Sequence, residues 1–385
     1  MVERNQLLRI VFVTNNYTPY AGGVVSSINA IVPELISSGH HVFIITLDFL
    51  GVNHEDPAYV YRIACPIKFR YNNNPMAIPW RMEKQLEEFI TLLDPHIVHS
   101  HHPWLLGGAA ANIARKKGIP LIFTYHTLYE HYAHYVPCPE IFSRPIISYL
   151  VKKYCTEATG IIAPSRAVKK QLDDWNLQAT SIVMPSPIAP IFFQEEFAPK
   201  KCLPNEICNL LLVSRLEKEK NIPFLLQMFA QLHHESPHKF VLRIVGHGSY
   251  TSWLKNYAYS ILKLPEDRVM FLEKKTAYEL LAIYRQADVF VFSSLSDTQG
   301  LVLAEALSGG TPVVALDGPG QRDSIRHGVN GFLVNSLAEM MTVIKRIAQD
   351  VSLHQELQNN ARESSFAYTS KNITQRLSSW YQRFV

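Results

Sequence analysis

The apolar run Arg9–Thr14 (RIVFVT) is followed by a loop holding Pro19 and the pair Gly22-Gly23. Next comes Val24–Ser38, in which Ile28, Ile31, Val32, Leu35 and Ile36 recur at helical spacing. Gly39 suits the end of that helix. His41–Thr46 (HVFIIT) is apolar again. Strands with almost no polar alternation must be covered on both faces. When a helix joins two of them, they run parallel. This opening therefore restricts the chain to an α/β layered architecture.

The alternation continues. Ile97–His99 and Leu121–Tyr125 read as strands around a helix near Gly107–Lys117, and Ile161–Ala163 as a further strand. At Met184–Pro190 (MPSPIAP) three prolines fall within seven residues, which excludes regular structure and marks a linker. The pattern then restarts. Asn209–Val213, Phe240–Val245, Val269–Phe271, Val289–Phe292 and Pro312–Ala315 read as strands, with helices at Asn221–Leu232 and Leu301–Leu307. The spacing predicts two doubly wound Rossmann-like domains, residues 1–188 and 189–365. Residues 366–385 form a last segment whose Ile373, Leu377 and Trp380-Tyr381 have helical spacing. In such sheets ligands sit beyond the carboxyl ends of strands, so an interdomain cleft is the expected site.

Composition excludes several classes. Of 385 residues, 47% are hydrophobic and 18% charged, which suits a large buried core. The net charge of +4 is spread over both halves, so neither is a basic nucleic-acid module. The five cysteines, Cys65, Cys138, Cys155, Cys202 and Cys208, form no C-x-x-C pair and suit a reducing compartment. No apolar run approaches the ~18–20 residues of a membrane span. The start at Met1-Val2-Glu3-Arg4 shows no leader pattern, and a cytoplasmic location is expected.

Two stretches carry chemistry. Ser293–Ala306 (SSLSDTQGLVLAEA) follows a strand and holds Asp297 and Glu305, with Gly300 opening the helix that contains Glu305. Two acceptors at these depths can grip two hydroxyls of one extended ligand. Alternatively, Asp297 is an N-cap and Glu305 a solvated surface charge. Ser214–Asn221 (SRLEKEKN) places Arg215 and Lys220 after a strand, where they can clamp a diphosphate or belong to a solvated turn.

The order of R-x-x-x-x-K-N, Val245-Gly246-His247-Gly248, D-x-x-G-L-x-x-x-E and Thr311–Val314 resembles glycosyltransferase family 4, retaining enzymes of the GT-B fold. The resemblance covers nearly the whole chain and implies that residues 1–188 bind the acceptor, that 189–365 bind the nucleotide sugar, and that 366–385 form a helix packing back on the first domain. It implies that Arg215 and Lys220 bind the donor diphosphate and that Glu305 holds the ribose hydroxyls. It also implies that Asp297 faces the sugar and that backbone at Gln299, Gly300 and Leu301 touches the donor. Gly22 and Gly23 would admit the phosphates, and Gly246 and Phe271 are placed with the donor-binding residues. The family's first carboxylate is usually Glu. Asp297 keeps the charge with one methylene less reach, which leaves donor-sugar identity open.

Phe123–Pro137 (FTYHTLYEHYAHYVP) is similar to a stretch of the bacterial diacylglycerol glucosyltransferases, a branch of this family. That resemblance puts His126 near the transferred sugar and acceptor. Tyr129, Tyr132 and Tyr135, with Glu130 and His134, form either an aromatic entry surface or a structural loop. His99, His101, His102, His126, His131 and His134 lack a metal-binding pattern, so no metal or other cofactor is expected. In Glu140–Cys155, Phe142, Ile146, Tyr149 and Leu150 fall at helical spacing, with Arg144, Lys152 and Lys153 beside them. Such a helix either lies on an anionic bilayer or covers a core. Lys68, Arg70, Arg81, Arg115, Lys116 and Lys117 are further basic residues that can join the bilayer contact.

The expected function is transfer of a hexose, glucose from UDP-glucose, to a lipid such as diacylglycerol with retained configuration. It would take place peripherally on the inner membrane face. The alternatives are a family 4 transferase building polysaccharide or lipid-linked oligosaccharide from mannose or another hexose, a phosphorylase of the same fold, and a non-catalytic sugar-nucleotide-binding protein. The sequence leaves the oligomeric state open.

Overall fold

The computed structural model describes residues 6–20, 22–52, 56–71, 74–130, 139–194, 197–200, 206–236 and 239–385. They divide into two compact units. One comprises Met1–Pro187 together with Ser370–Val385, and the other Ile188–Thr369.

The first unit runs β1 (Arg9–Val13), α1 (Gly23–Ser37), β2 (His41–Leu47), β3 (Val60–Ile63), β4 (Ile67–Tyr71), β5 (Asn74–Ile78), α2 (Met82–Leu93), β6 (Ile97–Ser100), α3 (Leu106–Lys117), β7 (Leu121–Thr124), α4 (Glu140–Glu157), β8 (Gly160–Ala163), α5 (Arg166–Asp174) and β9 (Thr180–Val183). Seven strands form one parallel sheet in the order β3-β2-β1-β6-β7-β8-β9. Strands β4 and β5 pair apart from it as an antiparallel ribbon.

Both faces of the sheet are covered, as its apolar strands demand. Val11, Val13 and Ile45 pack with Leu86 and Ile90 of α2 and Ile113 of α3. Ile10, Phe12 and Ile44 face the other way and pack with Ile28, Val32 and Leu35 of α1.

The second unit runs β10 (Cys208–Val213), α6 (Ile222–Glu235), β11 (Phe240–Val245), α7 (Thr251–Asn256), β12 (Val269–Leu272), α8 (Ala277–Gln286), β13 (Val289–Phe292), α9 (Leu301–Ser308), β14 (Val313–Leu316), β15 (Gly331–Val334), α10 (Leu337–Gln349) and α11 (Val351–Ser365). Its parallel sheet has the order β12-β11-β10-β13-β14-β15.

The helical spacing over 368–385 becomes the helix α12 (Ser370–Tyr381), which belongs to the first unit. Thr369 breaks the helix with an extended backbone (φ −65°, ψ 142°). Just before it, Tyr368 is held in the second unit, accepting from Ile188 N at 3.1 Å and donating from its hydroxyl to Ser324 at 2.9 Å. Ile373, Leu377, Trp380 and Tyr381 then complete the core beside α1. Trp380 lies over Gly160, where a Cβ would stand 2.8 Å from its ring, so only glycine leaves the indole its place.

Candidate functional site

In a doubly wound sheet, the loops after the two central strands of opposite winding diverge and leave a crevice. In the second unit those strands are β10 and β13. The loop after β10 carries Arg215 and Lys220, and the loop after β13 carries Asp297. The fold brings them together. Lys220 Nζ donates to both Asp297 oxygens, at 2.7 and 3.0 Å. The lysine side chain is only 10% exposed. Burial alone would push the Asp297 carboxyl up. The Lys220 ammonium, a hydrogen bond from Ser294 and the charge of Arg215 outweigh it and hold the carboxyl below its ordinary value. Arg215 itself is exposed and reaches back to Glu219 at 3.1 Å.

Backbone contacts lock these loops. Ser293 Oγ donates to the carbonyls of Lys220 and Asn221, at 3.0 and 2.9 Å. The expected donor-contacting Gly246 adopts φ +147°, and a Cβ there would lie 1.9 Å from the Ser214 carbonyl. This glycine lets the β11 loop pass against the residue before Arg215. Gly300 is left-handed (φ +71°) and precedes α9, Gln299 is buried, and Leu301 begins the helix. Phe271 sits half-buried within β12 with its ring edge-on to Tyr259.

Neither carboxylate follows the alternative of an N-cap and a solvated surface charge. Helix α9 has no side-chain N-cap, so Asp297 is not capping it. Glu305 is half-buried and accepts from the hydroxyl of Tyr284 at 2.9 Å, so it is not a solvated surface charge. Burial pushes the Glu305 carboxyl up to about 7, against the lowering effect of the Tyr284 hydrogen bond. Tyr284, on α8, escaped the sequence reading. The available signal was a tyrosine on an apolar helix face, whose hydroxyl needs a buried partner.

In the first unit the corresponding central strands are β1 and β6. Gly22 precedes α1 in extended backbone (φ −173°) that any residue adopts, and Gly23 opens the helix, exposed. At the carboxyl ends of β6 and β7, three histidines form a column, His99 within β6 and His101 and His126 just past the two strands. His99 stacks on His101 with ring centroids 4.4 Å apart, and His101 on His126 at 5.1 Å. His101 Nδ1 and His126 Nε2 share a hydrogen bond of 2.9 Å. At the far end, His99 bonds Thr124 Oγ1 (2.7 Å) and the Tyr381 hydroxyl (2.5 Å). Burial drives His99 and His126 down to about 3 and His101 well below its usual value, so the column is neutral at pH 7. Among the described residues, no three His, Cys, Asp or Glu side chains are placed to hold a metal ion.

Tyr129 packs edge-on to Trp104 and Tyr125, and Glu130 accepts from Gln171 at 2.8 Å. Tyr132, Tyr135, His131 and His134 lie outside the described residues. Helix α4 buries Ser143, Val151, Tyr154 and Cys155. Phe142, Ile146, Tyr149 and Leu150 are exposed, with Arg144, Lys152 and Lys153 also outward. The stripe seen in sequence is therefore not the core-covering face. Of the other basic residues, Lys68 pairs with Asp48, Arg115 with Glu157 and Lys116 with Glu83. No helix among the described residues is long and apolar enough to cross a membrane.

Comparison with known proteins bears on this arrangement. Residues 21–188 match Glycosyltransferase Family 4, and residues 194–364 match Glycosyl transferases group 1. The chain is 32% identical to an alpha-monoglucosyldiacylglycerol synthase of Streptococcus pneumoniae, over 81% of this chain and 72% of that protein. It is 24% identical to the enzyme of the same name from Acholeplasma laidlawii, over 94% of each. Among solved structures it is similar to Anabaena HepE in complex with UDP-glucose (TM-score 0.74, 18% identity, 97% of this chain and 99% of that one). With two Rossmann-like parallel-sheet units and these matches along almost its whole length, the chain belongs to the glycosyltransferases of family 4 and has the GT-B fold.

Proposed function

We propose that this glycosyltransferase moves glucose from UDP-glucose to the free hydroxyl of diacylglycerol, with retained configuration, at the inner face of the cell membrane. The observation that carries the donor half is Lys220, a nearly buried cation fixed by Asp297 at the crevice of the second unit. An ammonium has three N–H donors, and Asp297 engages two of its directions. The third suits a diphosphate oxygen, with Arg215 beside it. The names of the Streptococcus and Acholeplasma relatives, alpha-monoglucosyldiacylglycerol synthases, support the product.

In this reading the bond between the anomeric carbon and the acceptor oxygen forms as the bond to the diphosphate breaks. The acceptor proton passes to the departing diphosphate oxygen. Lys220 and Arg215 balance the charge that develops there, and no metal is required. Glu305 accepts the ribose hydroxyls, and His126 contacts the transferred sugar. The exposed face of α4, with Arg144, Lys152 and Lys153, rests on the anionic bilayer that holds the acceptor. Asp297 in place of the family's usual Glu favours a second reading, in which another hexose is the donor.

The test is product analysis by mass spectrometry. Purified protein meets diacylglycerol vesicles with a panel of UDP- and GDP-sugars, and donor hydrolysis is followed in parallel. A lipid gaining one hexose from UDP-glucose supports the proposal. Hydrolysis without a lipid product would overturn the acceptor, and a product from a different sugar would overturn the donor.

A further inference from the structure

The ribbon formed by β4 and β5 is built inside out. Its register sets Ile67 opposite Ile78 and Phe69 opposite Met76. The period of two puts all four on one face. That face is open: Ile67 is 55% exposed, Phe69 41%, Met76 43% and Ile78 50%, and Trp80 beyond them 66%. The opposite face turns toward the body of the first unit. There Ala77 packs on the core, and Lys68, across from it, pairs with Asp48 at 2.5 Å. An ordinary half-buried ribbon has its apolar side inward.

The ribbon is also clamped. Ala64 N donates to Gln85 Oε1 at 2.9 Å, Trp80 N to the Ala64 carbonyl at 3.3 Å, and Gln85 Nε2 to the Trp80 carbonyl. These hydrogen bonds tie the two ends of the ribbon to each other and to Gln85 of α2. Contiguous apolar surface of this kind marks a contact site.

Charge identifies what it meets. From Pro66 to Met82 the sequence has three basic residues, Lys68, Arg70 and Arg81, and no acidic one. Arg70 and Arg81 are exposed. Lys68 is neutralised by Asp48, and Arg70 stands on the other face of the ribbon, opposite Pro75, but both arginines are exposed within reach of the same surface and the segment itself holds no carboxylate. This suits an anionic bilayer, whose headgroups attract the arginines while its acyl region takes the apolar groups.

We infer that the β4–β5 ribbon is a membrane-inserting finger, separate from α4, that dips Ile67, Phe69, Met76, Ile78 and Trp80 into an anionic phospholipid surface. The inference rests on the reading that the enzyme works at a bilayer.

The test uses the full chain and vesicles of phosphatidylglycerol in phosphatidylcholine, without diacylglycerol. Sedimentation measures binding of the wild type and of the F69S/I78S variant. The variant is expected to bind about tenfold more weakly or worse. Lipids brominated in the upper acyl chain should quench part of the tryptophan emission, and W80F should lose that part. Thermal melting and transfer to a short-chain soluble diacylglycerol check that the variants fold.

Unchanged vesicle binding by F69S/I78S overturns the finger, as does quenching that survives in W80F. A variant that alters the protein's mass in sedimentation equilibrium but not its vesicle binding overturns it in favour of a second copy as occupant. The donor and acceptor reading fails separately. Ribbon-dependent vesicle binding without any glycolipid product leaves the finger standing and removes the proposed reaction.

Discussion

The hydroxyl of Tyr284 on α8 meets the carboxylate of Glu305 on α9 at 2.9 Å, in surroundings that raise Glu305 to about 7. A carboxyl whose folded pKa lies above its ordinary 4.5 keeps its proton in the native state while the unfolded chain releases it. Its contribution to stability is therefore full below 4.5 and is lost as pH rises to about 7. Glu305→Gln should remove this loss, visible as a smaller fall of melting temperature across that interval. Tyr284→Phe removes a hydrogen bond that lowers the pKa, so it should extend the loss to higher pH. Identical pH profiles for wild type and Glu305→Gln would refute the assignment.

Lys220→Ala should lower kcat/KM for transfer by roughly 10²–10³-fold, the usual effect of removing one charge-stabilising contact. It also strands Asp297, whose carboxyl is now held below its ordinary 3.8. A depressed carboxyl stabilises above its unfolded pKa and loses that contribution as pH falls through the folded value. The variant should therefore lose less stability on acidification than the wild type does. Adding Asp297→Asn should restore part of the stability lost in Lys220→Ala, because the stranded charge is gone. Wild-type transfer rates in Lys220→Ala would sink the assignment.

The histidine column has the opposite sign on the pH axis from Glu305. His99 and His126 titrate near 3 in the folded protein and near 6.5 when unfolded. The unfolded chain takes up protons first, so stability drops as pH falls from 6.5 toward 3. His126→Asn should reduce the slope of unfolding free energy in that window by about one proton. Urea melts at stepped pH read this directly, and an unaltered slope would show that His126 titrates freely.

Gly246→Ala forces an L side chain to φ +147° with its Cβ inside the Ser214 carbonyl. Strain of this kind costs on the order of 1–3 kcal/mol before the clash is counted. Thermal melting should show a clear loss, and donor affinity should fall with it as Ser214 and Arg215 shift. A variant that melts with the wild type would mean the two loops do not approach as described.

On α4, Lys152→Gln with Lys153→Gln should weaken binding to anionic vesicles by about 2 kcal/mol, roughly thirtyfold, at about 1 kcal/mol per cation. The difference should shrink in high salt, where surface charges are screened. Equal binding at low salt would exclude these two lysines from the contact.

The fold was largely legible because its strands are apolar almost throughout. RIVFV and CNLLLV need covering on both faces, and only a parallel sheet between helices provides that. Pairings between distant residues were less accessible. Lys220 and Asp297 are 77 positions apart, and they meet only because β10 and β13 are neighbours in the sheet. Tyr284 and Glu305 depend on the packing of α8 against α9. For α4, the spacing of Phe142, Ile146, Tyr149 and Leu150 showed a stripe but not its direction. Outward and inward stripes have the same period, and only the burial of Val151, Tyr154 and Cys155 separates them.

The position of α12 sets an order on biosynthesis. The first unit begins at the amino end, yet Ile373, Leu377, Trp380 and Tyr381 belong to its core, and Tyr381 holds the end of the histidine column. On the ribosome this unit emerges first and must wait, with one flank of its sheet unfinished, until the whole second unit has been translated. A released chain truncated before Ser370 would thus present an open apolar flank to chaperones, while holding every residue of its second unit.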